Sequence, residues 1–227
     1  MKVEVFYQPA YSVARVTLAN GEEVRAEAGA MVSMDSHVEI ETKATGGLLK
    51  SLSRSVLGGE SFFQNTFKST AENGEIIFAP SLPGDIITVE LTNGDMIVQS
   101  GSYLASDLAI TVDSRWGGAK TFFGGEGLFM LRCSGQGTLV VSSFGAIHKT
   151  TLTPGQRYTV DTGHIVAFQA GMQYSVRKVG SWKSTIFGGE GLVVDFTGPG
   201  DLFLQTRSPE SFLGWLIPNL PSRNNGN

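Results

Sequence analysis

The residues of this chain whose types and spacing could do chemistry are carboxylates set beside glycine pairs. Gly-Gly-Glu occurs at Gly58-Gly59-Glu60, Gly124-Gly125-Glu126 and Gly188-Gly189-Glu190, at nearly equal steps along the chain. Three glutamates gathered by symmetry would offer three hard oxygen ligands, a donor set suited to Ca²⁺ or Mg²⁺. The same triplet has a conformational reading. Paired glycines permit a bulge or a close strand approach, and the glutamate then accepts nearby N–H groups. Glycine placement is first a conformational signal, so that reading is preferred, with Glu60, Glu126 and Glu190 kept as the candidate metal ligands.

Other reactive residue types form no constellation in the sequence. His37, His148 and His164 are far apart and lack ligand spacing. Cys133 is the single cysteine. Without a CxxC partner or triad signature it reads as a small core residue. No Gly-x-Ser-x-Gly, P-loop or zinc motif occurs. Gly124-Gly125-Glu126-Gly127 is glycine-rich, but the sequence after it reads as a strand, whereas a phosphate loop needs a helix N-terminus. With no nucleophile, base and orienting group in view, the expectation is a non-enzymatic protein that needs no cofactor.

Composition narrows the class. The chain has 227 residues, 41% hydrophobic and 17% charged, with 29 glycines and only 8 prolines. That charge content is below the usual ~25%, while apolar content is ordinary, so a disordered, solvating chain is excluded. The net charge of −4 gives no basic footprint for nucleic acid. The 22 aromatic residues (14 Phe, 5 Tyr and 3 Trp) mostly sit in apolar runs rather than beside Lys or Arg. A lone cysteine fits a reducing compartment. The first residues lack a signal-peptide apolar region, and no run reaches the ~18 apolar residues of a membrane span. The expected location is the cytoplasm, with peripheral contact at a membrane surface left open.

Three marks recur in order and predict an internal threefold repeat. The first is an alternating or apolar run ending in glycine, at Glu23–Gly29, Asp95–Gly101 and Ile165–Gly171. The second is Gly-Gly-Glu among aromatic and apolar neighbours. The third is Asn73-Gly74-Glu75, Gly135-Gln136-Gly137 and Gly198-Pro199-Gly200, each followed by an apolar run. Pro83-Gly84 and Pro154-Gly155 suggest the joins, giving units of about 1–80, 81–152 and 153–208. Short Val-, Ile-, Phe- and Thr-rich runs such as Val38–Thr42 and Leu108–Asp113 alternate and read as strands. Asn20-Gly21, Asn73-Gly74 and Asn93-Gly94 read as hairpin turns with φ > 0 at both positions. A unit of this size cannot bury both faces of its strands, so the three are expected to pack as one all-β domain over residues 1–208.

Two stretches depart from the β pattern. Leu48–Leu57 places Leu48, Leu49, Leu52 and Val56 at helical spacing, with Lys50 and Arg54 on another side. Residues 209–217 form a second helix candidate, with Ser208 as cap and Pro209 at the first helical position. The following residues, 218–227, read as frayed. Leu48, Leu49, Lys50, Leu52, Arg54, Phe212, Trp215 and Ile217 are the candidates for contact with a lipid surface or a partner. The alternative reading is that both stretches cover an open end of the β core.

The threefold Gly-Gly-Glu, together with Glu27-Ala28-Gly29-Ala30-Met31-Val32 and Leu57-Gly58-Gly59-Glu60-Ser61-Phe62-Phe63, resembles the altered-inheritance-of-mitochondria twenty-four family over roughly Val3 to Ser208. The resemblance implies a fold similar to the tryptophan RNA-binding attenuation protein, of β-sandwich or double-stranded β-helix type. It implies no RNA binding, since fold does not carry function. The eukaryotic member is mitochondrial and linked to inner-membrane organisation. Bacterial members have no settled activity, so the resemblance brings no catalytic residues. The expectation is an interaction or scaffold protein that forms homo-oligomers and touches a membrane surface, without nucleic acid as partner. The alternative is a small-ligand or metal-binding module with a pocket between sheets or at the pseudo-threefold axis.

Overall fold

Alternating burial shows why these residues form strands. In β2 (Val13–Leu18), Ala14, Val16 and Leu18 are buried while Val13, Arg15 and Thr17 are half-buried. This period of two turns one face of the strand to a core. The computed structural model describes residues 1–41, 62–92, 94–114, 129–179 and 192–221. These residues are mostly antiparallel β-sheet, with one short α-helix among them at the C-terminal end.

The first part of the chain holds β1 (Lys2–Phe6), β2, β3 (Glu23–Glu27), β4 (Met31–Met34), β5 (Val38–Glu41), β6 (Gln64–Ser69) and β7 (Gly74–Phe78). The middle holds β8 (Ile86–Leu91), β9 (Met96–Gln99), β10 (Tyr103–Asp107), β11 (Ile110–Asp113), β12 (Met130–Gly135) and β13 (Gly137–Ser142). The last part holds β14 (Ile147–Leu152), β15 (Arg157–Asp161), β16 (Ile165–Gln169), β17 (Gln173–Lys178), β18 (Leu192–Thr197), β19 (Gly200–Gln205) and the helix α1 (Pro209–Asn219).

Pairing follows one scheme. β2–β7–β4, β8–β13–β10 and β14–β19–β16 are each hydrogen-bonded in that order, as are β5–β6–β3, β11–β12–β9 and β17–β18–β15. Two six-stranded sheets arise where such triplets join edge to edge, β3 to β10 and β9 to β16. The register slips once at the same place in β4, β10 and β16: between Met31 and Ser33, Tyr103 and Ala105, and Ile165 and Ala167. Each slip is a β-bulge, which bends its strand and raises the local twist.

The buried apolar residues described form three clusters. Phe67 and Phe78 meet edge to face in the first, with centroids 5.2 Å apart. Tyr103 anchors the second, which also holds Cys133. Phe168 and Phe196 meet at 5.0 Å in the third. Each such buried side chain stabilises the fold by about 1.5–3 kcal/mol.

Several expectations are corrected by the pairing. By sequence the run Ile165–Gly171 aligns with Glu23–Gly29 and Asp95–Gly101, yet Ile165–Gln169 is β16 and pairs as β4 and β10 do. By pairing, the counterpart of β3 and β9 is β15, and Gly163 stands where Gly29 and Gly101 stand. β9 and β16 are neighbours with similarly apolar sequences, so apolarity could not tell them apart. Leu108 and Ala109 belong to the turn between β10 and β11, not to a strand. Pro154-Gly155 lies between β14 and β15, while β14 pairs with β19 along its whole length, so pairing groups residues 147–205. At Asn20-Gly21 only Gly21 has positive φ, and at Asn73-Gly74 only Asn73 does. Neither is therefore a hairpin turn with both central residues left-handed. Asn93 lies outside the described residues.

Candidate functional site

α1 begins as the sequence predicts. Ser208 Oγ accepts the Ser211 N–H at 3.3 Å, and Pro209 occupies the first turn, where its missing N–H costs nothing. The helix continues to Asn219, past Ile217, and takes Pro218 into its last turn. Phe212 packs edge to face on Phe144 at 5.6 Å and holds the helix to the β body. Phe212 and Leu216 are half-buried, whereas Leu213, Trp215, Ile217 and Leu220 are exposed. A helix apolar on every side normally lies buried. Here no residue of α1 is buried.

Beside the first turn of α1 lies a cleft of about 190 Å³. Glu27, Gln99, Ser143, Phe144, Gln205 and Pro209 line it. Glu27 ends β3 and is half-buried, and burial pushes its carboxyl up to about 7. The amide of Gln205 is fixed: its Oε1 accepts from the Phe144 N–H at 2.9 Å and its Nε2 donates to the Gly163 carbonyl at 2.8 Å. Ser143 Oγ donates to the Gly145 carbonyl at 2.6 Å, which ties up the hydroxyl proton a nucleophile would have to give to a base. The cleft can therefore offer one carboxyl that titrates near neutrality among oriented amides. Nothing in the alternating run Glu23–Glu27 distinguishes Glu27 from Glu23, because the cleft it lines is built with distant residues, 80–82 among them.

Glu27 makes a pH-dependent prediction. Its native carboxyl binds a proton up to about 7, while the unfolded chain releases it near the ordinary value of 4.5. Between these values the native state holds more protons, so stability falls as pH rises from about 4.5 to 7 and is flat above. Screening at this half-exposed group limits the loss to about 1–2 kcal/mol. Denaturant titrations of Glu27→Gln at pH 5 and pH 8 are expected to differ by that much less than those of the unmutated protein.

A second hollow of about 330 Å³ lies at the β8–β9 turn, lined by Glu90, Thr92, Asp95 and Gln169 among others, and is open to solvent. The remaining predicted residues are dispersed. His37 and His148 are exposed. His164 Nδ1 is 2.7 Å from the Gln205 carbonyl oxygen. Cys133 is fully buried in the second cluster, and burial pushes its thiol up to about 12. Among the described residues no three His, Cys, Asp or Glu side chains gather as a metal site. Glu60, Glu126 and Glu190 lie outside the described residues, as do Leu48, Leu49, Lys50, Leu52 and Arg54. Phe212, Trp215 and Ile217 share α1, but Phe212 faces the body while Trp215 and Ile217 face out. Among the described residues no helix is long and apolar enough to cross a membrane.

Several antiparallel sheets followed by a short C-terminal helix define an all-β protein. The family described as mitochondrial biogenesis AIM24 matches residues 3–207, and the chain belongs to it. An uncharacterised protein of Streptococcus pyogenes serotype M6 is 32% identical over 223 residues, spanning 95% of this chain and 89% of that protein. The crystal structure of a Streptococcus pyogenes protein, a structural genomics target, superposes with a TM-score of 0.82 at 30% identity, covering 96% of this chain and 99% of that one.

Proposed function

We propose that this protein is a non-enzymatic interaction scaffold that assembles with itself and rests peripherally on a membrane from the cytoplasmic side. One observation carries the reading: α1 is held to the β body by Phe212 and exposes Leu213, Trp215 and Ile217, with Leu220 exposed just past its end. Amphipathic rings such as indole favour the boundary between headgroups and acyl chains, and exposed leucine and isoleucine on the same short helix add apolar area. The β body fixes the helix, so little ordering entropy is lost on seating it.

The test is flotation with neutral phosphatidylcholine vesicles. The unmutated protein is expected to float, and a Trp215→Ser, Ile217→Ser double variant to lose at least 10-fold in bound fraction with unchanged melting. Equal flotation of the two would end the lipid reading. The cleft at Glu27 favours a second reading, a small-ligand module. At about 190 Å³ it is smaller than the ~300 Å³ at which ligand pockets usually begin, so it carries less weight.

A further inference from the structure

The edge-to-edge joints β3–β10 and β9–β16 have a third counterpart that the described chain does not make. By the common pairing scheme, β4 stands where β10 and β16 stand, and β15 stands where β3 and β9 stand. β4 ends the four-stranded sheet β1–β2–β7–β4, and β15 ends the three-stranded sheet β15–β18–β17. Each is an open edge among the described residues.

Burial marks the difference. Tyr103, Leu104 and Ser106 of β10 are 0% exposed, as are Ile165, Val166 and Phe168 of β16. Their counterparts in β4 by the shared bulge are Met31 at 38%, Val32 at 59% and Met34 at 40%. β15 shows the same contrast. Tyr158 is 37% exposed, whereas Val24 of β3 is 0% and Met96 of β9 is 3%. Apolar side chains occupy these positions although, among the described residues, no strand pairs with either edge. Edges meant to stay single usually carry charges or proline instead.

We infer that β4 of one copy pairs antiparallel with β15 of a second copy, completing a third six-stranded sheet and joining the molecules head to tail. The internal joints supply the register. Ala26 faces Ala105 and Arg25 faces Ser106; Val98 faces Ala167 and Ile97 faces Phe168. Transferred to the open edges, Val160 faces Ser33, Thr159 faces Met34 and Tyr158 faces Asp35. Such a contact uses different surfaces on the two molecules, so it either closes into a ring or continues as a chain. The inference rests on the scaffold reading above and specifies its self-contact.

The experiment is native mass spectrometry of the full chain, with Val32→Lys and Tyr158→Lys as edge-blocking variants. The unmutated protein is expected at multiples of the chain mass. Each variant is expected at the monomer mass, with its dissociation constant raised at least 10-fold and its melting unchanged. A Met34→Cys, Thr159→Cys double variant is expected to give reducible cross-links between copies, whereas Met34→Cys alone gives none. A monomeric unmutated protein, variants that keep its mass, or cross-links confined within one chain would each overturn the inference. A monomer that still floats on vesicles ends the edge pairing alone, and an assembly that fails to float ends the lipid reading alone.

Discussion

Gly84→Ala is expected to lower stability by about 4 kcal/mol, reading as a fall in melting temperature of about 8–16 °C. Gly84 sits where the chain enters β8 and forms an isolated parallel bridge with Gly145. A β-carbon there would fall on the Ser143 carbonyl oxygen, a backbone atom that no rotamer change can move. The surroundings are bonded on every side. The Gly84 carbonyl accepts the Ser12 N–H at 3.0 Å, Asp85 N–H donates to the Gly145 carbonyl at 2.9 Å, and Gly145 N–H donates to the Pro83 carbonyl at 3.0 Å. Asp85 Oδ1 accepts from Gln8 Nε2 at 3.0 Å and from the Ile86 N–H at 2.9 Å. Separating these strands to admit a methyl group breaks several buried bonds, each leaving a group that costs about 1–3 kcal/mol unpaired. Gly155→Ala is the control. Its φ of 78° disfavours alanine, but no atom lies within 4 Å of the added carbon, so it should cost only about 1 kcal/mol. Thermal melts of the two variants side by side check the result, and equal shifts would refute it.

Phe168→Ala is expected to cost about 3–5 kcal/mol, the usual loss for a large core aromatic replaced by alanine. Phe168 is fully buried in β16, with Phe196 at 5.0 Å and Tyr174 at 5.2 Å, both tilted toward edge-to-face. Its ring joins β16 to β17 and β18 across the third cluster, and strands that meet around it cannot collapse into the space left. Trp215→Ala, a truncation of comparable size on exposed α1, should change stability by no more than about 0.5 kcal/mol. Urea unfolding of both variants separates a residue kept for the fold from one available for contact.

How far the sequence could be read depended on whether a signal was local. The cap Ser208, Pro209 and the helix after them were legible because capping involves residues three apart. Val38–Glu41 was legible as a strand because alternation lies within the strand. The third mark was also legible: Asn73-Gly74, Gly135-Gln136-Gly137 and Gly198-Pro199-Gly200 lie at the turns β6–β7, β12–β13 and β18–β19. What joins β3 to β10 and β9 to β16 is decided by partners far along the chain, so β16 passed for the counterpart of β3. Glu27 was invisible for the same reason, the cleft around it being lined by residues far along the chain. The outward face of α1 was legible only in part. Trp215 and Ile217 stood out by type, while Leu213 and Leu220 required knowing which side Phe212 faces.

The joint between β3 and β10 also constrains how the molecule comes into being. Arg25 pairs with Ser106, so the edge of β3 waits for a partner made about 80 residues later. At roughly 5–20 residues per second, that is about 4–16 s during which a nascent chain on the ribosome carries an open strand edge. β9 then waits in the same way for β16. Each open edge in turn is a place where a neighbouring nascent chain of the same sequence could pair first. Closely spaced ribosomes on one message would therefore favour exchange of strands between chains, and widely spaced ones would favour each chain finding its own.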